Sequence, residues 1–122
     1  MKKKTIGVLG GIGASASANF YQELVKICQT NYQAQKDDDF PPIIINSMSF
    51  SGFDTQGKGN EDGIKSQLLE GLNVLKIAGA DFGVIVCNTV HSHFKYFQEN
   101  CDLELVSIVN ETIGAVVLEQ CK

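Results

Sequence analysis

The stretch TIGVLGGIGASASANF, residues 5–20, changes its period partway along. Residues 5–9 form a short run rich in β-formers, closed by Gly10, Gly11 and Gly13, and beyond it Phe20, Leu24 and Ile27 fall on one helical face. The reading is strand, turn, helix. Working outward, DDDFPP at residues 37–42 interrupts the pattern, and residues 43–45 then read as a buried strand ending at Asn46 and Ser47. Residues 49–60, SFSGFDTQGKGN, have no clear period and read as a loop of the kind that covers a site. Asn60 or Asp62 can cap a helix lined by Ile64, Leu68, Leu72 and Leu75, with Gly79 near its end. Residues 84–86 read as a third strand, 90–99 as a short helix and 105–107 as a fourth strand, with Asn110 capping a final helix.

That alternation predicts an α/β fold: three layers, with a four-stranded parallel sheet flanked by helices and joined by right-handed crossovers. Ligands of such sheets bind beyond the carboxyl ends of the strands. Those ends carry GGIGAS, NS, CNT and S in turn, so small, polar and nucleophilic residues gather along one edge.

A chain of 122 residues suits one domain over residues 1–122. The net charge of -4 speaks against a nucleic-acid surface, which needs clustered Lys and Arg. No apolar run approaches the roughly 18 residues of a membrane span. Cys28, Cys87, Cys101 and Cys121 are far apart and form no Cys-x-x-Cys pair, which fits a reducing cytoplasm. Lys2, Lys3 and Lys4, the apolar TIGVLGGIG and the small-residue ASASA imitate a secretory leader, but four glycines suit a leader helix poorly and a first strand explains them better.

Gly11, Gly13 and Ala16 also match the dinucleotide fingerprint G-x-G-x-x-G/A. Such folds want Asp or Glu at the carboxyl end of the second strand for the ribose, and this chain has Asn46 there, while Asp37, Asp38 and Asp39 precede the strand. The loop is better suited to offering helix-start amides to a carboxylate. Cys87 follows three strand residues and precedes Asn88 and Thr89, so it falls where a strand turns into a helix, whose amides favour the thiolate. A thiolate there is a base or a nucleophile. Cys28 and Cys101 read as packing or surface residues and Cys121 as part of the chain's end. His91 and His93 lack the further ligands of a closed zinc site, so no metal is expected; His91 is placed to tune the thiol and His93 is a solvated residue. The lysines at 2–4 and the aspartates at 37–39 read as solvated charge.

KTIGVLGGIG at the start, INS after the second strand, GADFGVIVCNTVH in the third unit and LVSIV in the fourth together resemble the aspartate/glutamate racemase superfamily, particularly its aspartate-type branch. Gly10 and Gly11 stand where glutamate racemases carry Asp-Ser, and His91 stands where they carry Ser. The resemblance implies a flavodoxin-like half of the racemase fold and cofactor-independent racemisation of aspartate or glutamate, without pyridoxal phosphate. In that chemistry two cysteines on opposite faces of the amino acid remove and return the α-proton. It implies that Cys87 is one base, that Asn46, Asn88 and Thr89 bind substrate, that Gly11, Gly13 and Ser15 line the site, and that His91 supports the thiol. The second cysteine of the family sits in a second domain, within a Gly-Cys-Thr stretch that this chain lacks. The expectation is a lone first domain that is truncated or completed by a partner, most simply in a homo-oligomer, with no nucleic acid or membrane involved.

Overall fold

The structure is a computed structural model, and it describes residues 3–11, 13–51, 61–86 and 94–106. In chain order it contains β1 (Ile6–Gly10), α1 (Ala14–Asn31), a 3-10 turn (Asp37–Asp39), β2 (Ile43–Ser47), α2 (Glu61–Ala78), β3 (Phe82–Ile85), α3 (Phe94–Glu99) and β4 (Glu104–Val106). The strands form one four-stranded sheet in the order β2-β1-β3-β4, with every pairing parallel. The α/β architecture expected from the alternation is therefore present.

Side chains alternate across the strands, and each face meets its own helix. Ile6, Val8, Phe82, Val84, Val86 and Val106 pack on one face with Leu24 and Cys28 of α1. On the other, Leu9, Ile85, Leu103 and Leu105 pack with Leu68, Leu72 and Leu75 of α2 and Phe97 of α3. Full burial of each such leucine contributes about 1.5–3 kcal/mol, so the i, i+4, i+7 spacing of Leu68, Leu72 and Leu75 is what holds α2 to the sheet. Gly7 lets that helix end come close: a Cβ there would lie 2.8 Å from the Cβ of Ala80.

Several boundaries differ from the sequence reading. Asn46 and Ser47 lie inside β2 because Leu9 and Gly10 of β1 pair with them. The third strand runs Phe82–Ile85 and the fourth Glu104–Val106, each starting before the apolar residues that suggested it. Asp62 is within α2 rather than its cap, while Asn60, residues 52–60, residues 90–93 and the final helix expected after Asn110 lie outside the described residues.

Asp37–Asp39, expected as plain solvated charge, form an ordered turn before β2. One carboxylate oxygen of Asp39 accepts the N–H groups of Gln35 and Lys36, each at 2.9 Å. Those two bonds hold the Asp39 carboxyl below its ordinary value. A depressed carboxyl stabilises the fold above its unfolded pKa, near 4, and loses that contribution as pH falls through the lower folded value. Wild type should therefore melt above Asp39→Asn at neutral pH, and the gap should close only below about pH 4. An undiminished gap at about pH 2 would refute this account.

The outer strand β4 of the described sheet has a side-chain partner of its own. The Gln98 amide oxygen accepts the Leu105 N–H at 2.9 Å, and its nitrogen donates to the Leu103 carbonyl at 3.2 Å. Gln98 thus lies along β4 on the side away from β3.

Candidate functional site

Strand order fixes where a ligand crevice opens. From β1 the chain goes out to β2, then returns across β1 to β3, so the direction of winding reverses between β1 and β3. In open parallel sheets the crevice lies beyond the carboxyl ends of the strands on either side of that reversal. Here those ends are Gly10, the last residue of β1, followed by Gly11, and Val86 after β3; the two strands are joined there by the Val86 N–H donating to the Leu9 carbonyl at 2.9 Å.

The loop after β1 is held from two sides. Gly11 adopts φ 115, a left-handed conformation that favours glycine, and its missing Cβ leaves room for the backbone of Met48. Met48, the residue after β2, donates its N–H to the Gly10 carbonyl at 2.9 Å. From the helix side, the hydroxyl of Ser17 accepts the Gly11 N–H at 3.1 Å and donates to the Gly13 carbonyl at 3.3 Å. Ser17 is only 4% exposed. Neither Ser17 nor Met48 was identified from the sequence. The one available signal was a serine four residues after the capping glycine, the spacing at which a helical hydroxyl reaches back to a carbonyl.

Gly13 is the N-cap of α1 in extended conformation, and with no side chain it leaves the first amides of the helix uncapped. Ser15 is exposed in that first turn. A helix start of this kind favours an anionic group such as a carboxylate. Asn46 is half-buried on the face toward α2, where its amide nitrogen donates to the Gly71 carbonyl at 3.2 Å. Its amide oxygen has no partner among the described residues.

Gly11, Gly13 and Ser15 thus belong to one loop and helix start at the carboxyl edge, with Asn46 near the end of the neighbouring strand. Cys87, Asn88, Thr89 and His91 lie outside the described residues, with Cys87 one peptide bond beyond Val86. The two described thiols are structural. Burial against the β1 and β3 face pushes the Cys28 thiol above its ordinary value, which keeps it protonated and unreactive. The Cys101 sulfur accepts the Leu103 N–H at 3.3 Å and donates to the carbonyl of the same residue at 3.4 Å. It sits at the opposite, amino end of the strands, in a small cleft shared with Asn73, Lys76 and Asp102. No cluster of three or more His, Cys, Asp or Glu side chains able to hold a metal occurs among the described residues, and none of their helices is long and apolar enough to cross a membrane.

This arrangement recurs in known proteins. The chain is 31% identical over 111 residues to the broad specificity amino-acid racemase RacX of Bacillus subtilis (strain 168), a match covering 91% of this chain and 48% of that protein. An aspartate racemase homologue from Pyrococcus horikoshii OT3 superposes with a TM-score of 0.73 at 27% identity, over 98% of this chain and 50% of the other. The aspartate racemase of Picrophilus torridus shares the fold, with a TM-score of 0.64 at 21% identity over 85% of this chain and 43% of that one. The chain spans about half the length of the relatives it matches. Residues 9–120, from the end of β1 onward, match the model of the Asp/Glu/hydantoin racemases. With its parallel sheet reversing between β1 and β3 and the glycine loop at that reversal, the chain belongs to the Asp/Glu/hydantoin racemase family.

Proposed function

We propose that this chain is the first half of a cofactor-independent amino-acid racemase of the aspartate type, with Cys87 as one of its two acid/base groups. The observation that carries the reading is the position of Val86, the residue before Cys87, at the crevice between β1 and β3 and beside the glycine loop. Family membership and the racemase relatives support it.

In this reading the Cys87 thiolate takes the α-proton, and a second thiol returns a proton to the opposite face. The α-proton is a weak acid. Without an electron sink, the carboxylate must be held by preorganised donors as charge builds on it. The uncapped start of α1, reached through Gly11, Gly13 and Ser15, supplies such donors, and Asn88 and Thr89 add theirs beside the thiol. The amide oxygen of Asn46, without a partner among the described residues, is suited to the substrate ammonium. His91 supports the thiol. The second base lies outside these 122 residues, a second copy being its simplest source for the isolated chain, and the protein works in the cytoplasm on free aspartate or glutamate.

The test is deuterium uptake at the α-carbon of L- and D-aspartate in heavy water, followed by NMR. Uptake by both enantiomers is the expected result and means that assembly supplies the second base. Uptake by one enantiomer would overturn the two-base reading in favour of a half-site. No uptake, with aspartate still bound, would overturn racemisation and leave an amino-acid binding domain.

A further inference from the structure

Ser17 is the sole fully buried polar side chain among the described residues, and both capacities of its hydroxyl are directed at the glycine loop. It accepts from Gly11 and donates to Gly13, so a single oxygen closes the turn between the end of β1 and the start of α1. The fit is tight. A Cβ on Gly10 would lie 2.7 Å from the Cβ of Ser17, so the first turn of α1 rests directly on the end of the strand. The two bonds are not equivalent. The Gly13 carbonyl also accepts the Ser17 backbone N–H at 3.3 Å, whereas the Gly11 N–H has Ser17 as its partner among the described residues.

We infer that Ser17 is a positioning residue of the site: amino-acid affinity depends on its hydroxyl although, being buried, it does not touch the ligand. The inference rests on the amino-acid reading of the site given above. Removing the hydroxyl takes away the partner that the Gly11 N–H has among the described residues and frees the loop on the helix side, while the Met48 contact still holds it on the strand side. The loop can then shift without loss of the core, and small displacements of binding groups are costly to function.

The experiment uses the full chain labelled with 15N. Hydrogen exchange at the Gly11 amide is recorded without ligand, and the chain is then titrated with L-aspartate, for wild type, Ser17→Ala, Ser17→Thr and Ser17→Cys. The expected result is faster Gly11 exchange and a roughly tenfold weaker Kd in Ser17→Ala, with both restored in Ser17→Thr, which keeps the hydroxyl. Ser17→Cys keeps the shape of the side chain with a somewhat larger atom and weakens both bonds, so it should follow alanine and serves if the alanine chain does not fold. Unchanged Gly11 exchange, or faster exchange with unchanged affinity, would overturn the inference. Wild type that binds no aspartate but shows the same Ser17-dependent Gly11 exchange would overturn the amino-acid site and leave the loop restraint standing.

Discussion

Replacement of Cys87 by alanine is expected to lower α-deuterium exchange of aspartate by about 10²- to 10⁴-fold, the usual contribution of a positioned acid/base group. Val86, the residue before it in the chain, follows β3 at the crevice where the winding of the sheet reverses, and the two thiols within the described residues are unsuited to the work. Cys28 is buried and protonated within the β1 and β3 face, and Cys101 is bonded to Leu103 at the other end of the strands. Cys28→Ala should accordingly leave the exchange rate unchanged. Cys87→Ser should fall near the alanine variant, since a hydroxyl is a far weaker acid than a thiol. If Cys87→Ala retains wild-type exchange while its thermal melt is unaltered, the thiol is not the base and the proposed chemistry fails.

The second large effect is on stability. Gly11→Ala should cost about 2–5 kcal/mol, from left-handed strain of roughly 1–2 and overpacking of roughly 1–3 kcal/mol. The overpacking arises because a Cβ on Gly11 would lie 2.8 Å from the nitrogen and 3.0 Å from the carbonyl carbon of Met48, and closer still to its oxygen. These are backbone atoms, which no rotamer change can move aside. The ends of β1 and β2 would have to separate, at the expense of the Met48 N–H to Gly10 carbonyl bond. Gly79 provides the comparison: its φ is 104, also left-handed, but a Cβ there meets nothing within 4 Å. Gly79→Ala should show the strain alone, roughly 1–2 kcal/mol. Urea unfolding of both variants separates the two contributions, and equal losses would show that Met48 is not the cause.

The parts of this fold legible in the sequence are those that local pattern controls. The glycine-closed run at residues 5–9, the apolar spacing of Leu68, Leu72 and Leu75, and the apolar residues before Cys87 place β1, α2 and β3 to within a residue or two. Strand ends were less legible, because Asn46 and Ser47 are in β2 through their pairing with Leu9 and Gly10, a partnership some 37 residues away in the chain. The same holds for the site. Gly11 and Gly13 stand out as a turn, but the reason for Gly11 is the backbone of Met48, which only the register of β1 and β2 brings alongside. Ser17 reads as one more small residue in ASASA, and its burial depends on how closely α1 sits on the end of β1. Asn46, read as a substrate contact, turned out to share its amide with Gly71 of a helix that its own neighbourhood in sequence does not reveal.

The Gln98 side chain along β4 bears on how the molecule behaves in a crowd. Edge strands invite other chains to add on, and continued addition leads toward aggregation. A primary amide has the same donor and acceptor as a peptide group, and Gln98 presents both to Leu103 and Leu105, where the backbone of an incoming strand would bind. Strand recruitment at this margin must therefore first displace a tethered competitor. Its effective concentration is high because it is carried on α3 only a few residues away.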